Sequence, residues 1–283
     1  MDIKNVCVIG AGIMGAGIAQ LLAVHNYHVN LVDVNEEILK NSKNSIQKNL
    51  DRFFVAKNKI TEKEAEKILN RINLEQNLED AVEGTQLVIE AVFEDMTLKQ
   101  QLFAKLDNLC SNDVILASNT SSLSITDIGS KCNHQERIIG IHFFNPAPVM
   151  KLIELIKSKR TSDEVLNKSM EFSESLNKTV VVINDSPGFV TTRLIYVLCN
   201  EAIIMKNEGI ASTEDIDTAC KLAFNFPMGP LELADLVGND VYHHIGDYLE
   251  KEFGTKYQPS SLLKDMAEKG LLGRKTKKGF YEY

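Results

Sequence analysis

The six residues Gly10-Ala11-Gly12-Ile13-Met14-Gly15 stand between a β-rich run, Asn5–Ile9, and a helical run, Ile13–Asn26, and this placement restricts the fold more than anything else in the chain. A strand that passes straight into a helix needs glycine at defined points. Gly10 permits the tight turn, Gly12 lets the backbone come close to a diphosphate, and Gly15 lets the helix lie against the strand. The N–H groups and positive dipole end of the helix, with Ile13 and Met14 in its first turn, then face the phosphates. Glycines also mark ordinary turns, so the motif counts only together with its strand-to-helix setting.

That setting continues along the chain. His28–Val32 reads as a second strand and the polar amphipathic stretch Asn35–Lys57 as helix, an alternation that predicts βαβ units and a parallel sheet. Thr61 and Glu64 have the spacing of a capping box, which predicts another helix start. The helical insertion near 35–71 exceeds an ordinary crossover, and part of it is expected to project from the sheet. Strand-like runs recur at Gln86–Ala91, Val114–Ala117, Ile138–His142, Leu152–Ile156 and Thr179–Ile183, with helices near Asp95–Leu109 and Asp163–Leu176. From Pro187 onward the pattern is helical, with Thr213-Glu214-Asp215 opening one helix and Phe226-Pro227-Met228-Gly229-Pro230 turning into another. The expected architecture is an α/β Rossmann-type N-terminal domain with a mostly parallel sheet, residues 1–184, followed by an all-α C-terminal domain, residues 185–283.

Asp33 ends the second β run, about 20 residues beyond the glycines, where a carboxylate accepts hydrogen bonds from adenosine ribose hydroxyls. The alternative is that it caps the next helix. Val34-Asn35 follows, with no arginine to neutralise a ribose 2′-phosphate, so NAD is favoured over NADP. Glu90 ends Leu87-Val88-Ile89-Glu90 at the carboxyl end of another strand, where open α/β sheets collect their ligands. A salt-bridged structural glutamate fits that position equally well.

Composition narrows the partners. A formal net charge of −8 argues against nucleic-acid binding, which needs a broad basic face. The start lacks a secretory leader pattern and no apolar run reaches membrane-spanning length, so a cytoplasmic protein without a membrane partner is expected. Five cysteines, odd in number and never in a C-x-x-C arrangement, read as reduced core thiols.

The strand Ile138–His142 delivers His142 to the same edge of the sheet. A lone histidine is usually structural, but here a second β run, Val149–Leu155, returns after the Pro146–Pro148 turn and brings Glu154 back beside it. A carboxylate fixes the tautomer of an imidazole and raises its basicity, which suits removal of a hydroxyl proton while hydride leaves the carbinol carbon. No histidine spacing matches a zinc site, so no metal is expected. Ala117-Ser118-Asn119-Thr120-Ser121-Ser122 follows another strand and supplies hydroxyls and an amide to this edge; composition alone also fits a serine-rich helix cap.

Taken together, the glycine motif, Ala117–Ser122, Gly140-Ile141-His142-Phe143-Phe144-Asn145-Pro146, Pro187-Gly188-Phe189, Pro227-Met228-Gly229-Pro230 and the closing Gly273-Arg274-Lys275 and Lys278–Tyr281 segments closely resemble the L-3-hydroxyacyl-CoA dehydrogenase family over the whole length. The resemblance implies NAD as cofactor and short-chain 3-hydroxyacyl-CoA and 3-ketoacyl-CoA as substrates. It also implies His142 as base or acid, Glu154 orienting it, and Ser121 on the reacting oxygen. Asn119 and Asn145 join the cofactor contacts, Asn145 also touches substrate, and the helices of the second domain form a homodimer. Arg52, Lys57 and Lys59 lie where family members meet the phosphate end of coenzyme A, and Lys57 is the expected contact.

The chain departs from the family after Pro187-Gly188-Phe189-Val190, where Thr191-Thr192-Arg193 puts Thr192 in the place of an asparagine. A hydroxyl is shorter than a carboxamide, so a catalytic Thr192 needs a bridging water, or Thr191 must replace it. Two alternative functions stay open at this stage. One is a dehydrogenase of a free hydroxy acid or sugar acid on the same fold; the other is a non-catalytic protein that binds NAD or CoA.

Overall fold

The computed structural model describes residues 3–283, and the chain divides into two compact units, Met1–Asp185 and Ser186–Tyr283. The first unit contains β1 (Asn5–Ile9), α1 (Ile13–Val24), β2 (His28–Val32), α2 (Glu36–Leu50), α3 (Glu62–Leu69), β3 (Ile72–Glu75), α4 (Leu78–Val82) and β4 (Leu87–Glu90). It continues with α5 (Met96–Leu109), β5 (Ile115–Ser118), α6 (Ile125–Ile128), β6 (Ile138–Phe143), β7 (Leu152–Lys157), α7 (Asp163–Ser175) and β8 (Thr179–Asn184). The strands form one eight-stranded sheet in the order β3-β2-β1-β4-β5-β6-β7-β8, parallel except where β7 runs against β6.

Sequence dictates which strands are central. The runs Val6–Ile9, Leu87–Glu90 and Ile115–Ser118 are buried along their length, as parallel strands covered on both faces must be. β8 lies at the sheet edge and leaves Val181 and Val182 about half exposed. Strand order reverses between β1 and β4: the chain builds outward through β2 and β3, then crosses to the other side of β1. At such a reversal the loops leave in opposite directions and open a crevice at the carboxyl ends of the strands.

The insertion between β2 and β3 does not stand away from the sheet as a whole. Leu39, Ile46 and Leu50 of α2 and Ala65 and Ile68 of α3 belong to the same core as α1, because each helix carries an apolar stripe at helical spacing. Only the connection stands out: a five-residue π-helix, Asp51–Val55, and the turn after it are largely exposed. Helix starts follow their side chains. Asn35 caps α2, and Thr61 and Glu64 form the reciprocal capping box of α3.

The regular elements of the second unit are helices, α8 (Thr191–Asn207), α9 (Thr213–Ala223), α10 (Pro230–Val237), α11 (Asn239–Phe253) and α12 (Ser261–Glu268), followed by a C-terminal segment with isolated β-bridges at Gly273–Lys278 and Lys278–Glu282. Proline at the first position of α10 is where a missing N–H costs nothing. The C-terminal segment is tied down by Asp235, 1% exposed, which accepts from the Phe280 and Tyr281 N–H groups and the Tyr283 hydroxyl. Arg274 and Lys275 pair with Glu232 and Asp240, so this basic cluster is engaged in structure. Among the described residues no helix is long and apolar enough to cross a membrane.

Candidate active site

The glycine turn sits at the sheet reversal, and each glycine is there for a different reason. Gly10 has φ +96°, and a Cβ on it would lie 2.6 Å from the Ala91 carbonyl oxygen, so β1 and the end of β4 meet here without side chains between them. A Cβ on Gly15 would lie 1.7 Å from the Gly10 oxygen, which is how closely α1 returns over the turn. A Cβ on Gly12 would meet nothing within 4 Å. Gly12 is the N-cap of α1 and no side chain caps that helix, so the N–H groups of its first turn, including those of Ile13 and Met14, face an open approach. This is a fit for a diphosphate.

Asp33 closes the second side of the crevice. Its Oδ2 accepts from the Ala11 N–H at 3.0 Å and its Oδ1 from the Asn35 N–H at 3.0 Å, while the capping of α2 is done by Asn35. Each carboxylate oxygen has a second acceptor direction, so the geometry leaves Asp33 able to receive hydroxyl donors.

Glu90 has the protein partners of a salt-bridged glutamate. It is wholly buried, its Oε1 meets Lys99 Nζ at 2.6 Å and the Val92 N–H at 2.8 Å, and its Oε2 accepts from the Ser118 hydroxyl at 2.6 Å. A carboxylate in that position must be paired, and Lys99, 1% exposed, pairs it. Glu90 therefore braces this edge through Lys99, Val92 and Ser118, the salt-bridged role that its position also fitted.

Lys99 leads to a residue that sequence reasoning missed. Glu94 Oε2 lies 3.2 Å from Lys99 Nζ, and its Oε1 accepts from the Thr120 hydroxyl at 2.5 Å, the Ser121 N–H at 3.0 Å and the Ser122 N–H at 3.3 Å. Desolvation pushes the Glu94 carboxyl up, but the Lys99 charge and the Thr120 and Ser121 hydrogen bonds outweigh it and hold the group below the usual carboxylate range. The Ser121 turn is thus folded around an anion. A glutamate placed just past a strand end on the ligand side, with a lysine one helical turn further on, was the available signal. The helix cap here is Ser124, at the start of α6, just beyond the segment whose serine-rich composition suggested a cap.

His142 and Glu154 face each other across the antiparallel pair β6 and β7. His142 Nδ1 lies 2.8 Å from Glu154 Oε2, with the two residues 4% and 0% exposed. Asn119 joins this strand to β5, its Oδ1 accepting from the Phe143 N–H at 2.9 Å. Asn145 follows on the exposed turn, through a cis bond to Pro146. Glycine turn, Asp33, Ser121 turn and His142 thus leave neighbouring strands at one edge. Lys57 lies apart from them, exposed on the turn after the π-helix, with Nζ 5.6 Å from the Phe53 ring centroid. Thr192 is the second residue of α8 in the helical unit, 9% exposed. All five cysteines are free, and burial pushes the Cys132 thiol up to about 11 and the Cys199 thiol up to about 12, which keeps them neutral.

Comparison with known proteins agrees across the chain. Residues 5–186 match the family model described as 3-hydroxyacyl-CoA dehydrogenase, NAD binding domain, and residues 188–283 match that of the C-terminal domain. A probable 3-hydroxybutyryl-CoA dehydrogenase of Bacillus subtilis is 45% identical over 284 residues, covering 100% of this chain and 98% of the relative. The 3-hydroxybutyryl-CoA dehydrogenase of Clostridioides difficile is 44% identical over 280 residues, covering 99% of each. The crystal structure of (S)-3-hydroxybutyryl-CoA dehydrogenase from Ralstonia eutropha superposes with a TM-score of 0.95 at 40% identity, covering 100% of this chain and 99% of that one. With both family models and full-length relatives in agreement, the chain belongs to the 3-hydroxyacyl-CoA dehydrogenase family of NAD-dependent enzymes.

Proposed function

We propose that the protein interconverts L-3-hydroxyacyl-CoA and 3-ketoacyl-CoA of short chain length, the 3-hydroxybutyryl-CoA and acetoacetyl-CoA pair above all, with His142 and Glu154 as its acid/base pair. The observation that carries this reading is the buried 2.8 Å contact between His142 Nδ1 and Glu154 Oε2 at the edge where the glycine turn lies. Bound NAD supplies the hydride acceptor for oxidation and, reduced, the donor for the reverse. Glu154 fixes the imidazole so that Nδ1 carries the inner proton, and the ring nitrogen remote from Glu154 exchanges a proton with the substrate oxygen. Ser121 donates to that oxygen from a turn that Glu94 holds in place, and Asn119 and Asn145 contact the cofactor beside it. Gly10, Gly12, Ile13, Met14 and Gly15 receive the diphosphate, and Asp33 receives the adenosine ribose.

Coenzyme A is assigned to Lys57. Support comes from Phe53, 42% exposed, flanked by the Arg52 and Lys57 cations at 5.2 and 5.6 Å from its ring centroid. The helical unit leaves Leu194, Leu222 and Phe224 more than half exposed, a surface that suits a second copy of the chain. The protein is therefore proposed as a cytoplasmic homodimer, and sedimentation at twice the mass of the chain tests that state. The substrate class is tested by NADH oxidation with acetoacetyl-CoA and with free acetoacetate. The thioester is expected to be the far better substrate; equal kcat/KM values would favour a dehydrogenase of free acids instead.

The resemblance also assigns a donor role to Thr192, whose hydroxyl would act on the reacting oxygen through an ordered water. Negative charge develops on that oxygen as hydride arrives, and losing one such donor typically costs roughly 10²–10³ in rate. Thr192→Val keeps the shape and deletes the hydroxyl, so kcat is expected to fall while KM changes little, whereas Thr192→Asn retains or improves activity. Full activity in the valine variant would remove Thr192 from the site.

A further inference from the structure

Ser42 is the one hydroxyl among the four buried residues of α2, the others being Leu39, Ile46 and Leu50. Packing alone would be served there by a small apolar residue, and a buried hydroxyl is costly unless it is bonded. Two carbonyls lie within its reach, Ile38 O of its own helix at 2.8 Å and Ala11 O of the glycine turn. The hydroxyl thus bridges its own helix and the glycine turn.

Ala11 is thereby held at both ends by the second βα unit. Its N–H donates to Asp33 Oδ2 at 3.0 Å and its C=O accepts from Ser42, while the Gly10 N–H donates to Val32 O at 2.8 Å. The peptide joining Ala11 to Gly12 is planar and trans, so its C=O and the Gly12 N–H point in opposite directions. With the carbonyl turned inward onto α2, the Gly12 N–H is aimed away from α2, and a Cβ at Gly12 would meet nothing within 4 Å. Rotation of this one peptide would withdraw the donor without disturbing the rest of α1.

We propose that Ser42 is a positioning residue for the cofactor diphosphate, acting by locking the Ala11–Gly12 peptide so that the Gly12 N–H faces the phosphates. The inference rests on the assignment of the cofactor to this turn, and ADP-ribose, which has the diphosphate but no nicotinamide, tests it by binding alone. Ser42→Ala removes the lock and puts a better helix former in α2, so the variant folds. Titration calorimetry is expected to show ADP-ribose and NADH affinities weakened together, roughly two- to twelvefold, the scale of one lost hydrogen bond. In turnover the loss is expected in KM for NADH and not in kcat. Wild-type protein that failed to bind ADP-ribose would overturn the cofactor assignment itself. Wild-type protein that binds it, beside a Ser42→Ala variant of equal affinity, would overturn the role of Ser42. So would weakened NADH binding with unchanged ADP-ribose binding, since the effect would then lie at the nicotinamide end.

Discussion

His142→Asn is expected to lower kcat by roughly 10²–10⁴-fold, the range for a lost general acid or base, while the dissociation constant for NADH stays near the wild-type value. The split follows from where the residue sits. His142 is on β6, joined to Glu154 on β7, whereas the diphosphate approach is at the end of β1. Glu154→Gln should reduce the same parameter by less, because the imidazole remains and loses only the anion that orients it. Steady-state kinetics with fluorescence titration of NADH checks both. A near-normal kcat for His142→Asn would remove the mechanism.

The second large effect concerns the glycines, where two substitutions of the same size should fail differently. Gly12 has φ −67° and ψ −168°, open to any residue, and its Cβ would meet nothing in the protein. Gly12→Ala is therefore expected to melt like the wild type yet bind NADH at least about a hundredfold more weakly. The methyl stands where the diphosphate must approach, and two charge-assisted hydrogen bonds at about 1.5–3 kcal/mol each are lost. Gly15→Ala places a Cβ 1.7 Å from the Gly10 oxygen, so the turn itself must move. Both thermal stability and NADH binding should fall in that variant. Thermal melts beside NADH titrations separate the two cases, and tight NADH binding by Gly12→Ala would contradict the placement of the diphosphate.

Much of this was legible because each feature had a local cause. The capping box at Thr61 and Glu64, the proline at the start of α10, and the continuous apolar runs of the central strands are short-range signals, and the fold keeps them. The His142–Glu154 pairing was legible because a hairpin turn between two β runs fixes which residues can return to face each other. Strand β3 was missed: Ile72-Asn73-Leu74-Glu75 is four residues at the sheet edge, and its pairing with β2 is set by the sheet rather than by its own pattern. Part of the insertion before it was expected to project, and the connection Asp51–Val55 does so, while the apolar stripes of α2 and α3 hold the rest on α1.

Two readings of Glu90 stayed open in the sequence, and the salt bridge to Lys99 is the one visible in the fold. Position at a strand end reveals which edge a carboxylate occupies, but not whether a lysine nine residues on has already neutralised it. The same blindness hid Glu94, whose importance lies in the turn it gathers, Thr120 to Ser122, from a strand distant in sequence. Ser42 was invisible for the same cause: a serine on an amphipathic helix declares nothing until the carbonyl it meets is known.

In the proposed reaction this edge passes hydride between the nicotinamide ring and the carbon bearing the oxygen that His142 serves. NADH doubly deuterated at the nicotinamide C4, turned over with acetoacetyl-CoA and analysed by mass spectrometry and chiral separation, tests it directly. One deuterium per product molecule is expected, bound to C3 of L-3-hydroxybutyryl-CoA. A product free of deuterium at C3, or no reduction of the thioester at all, would contradict it.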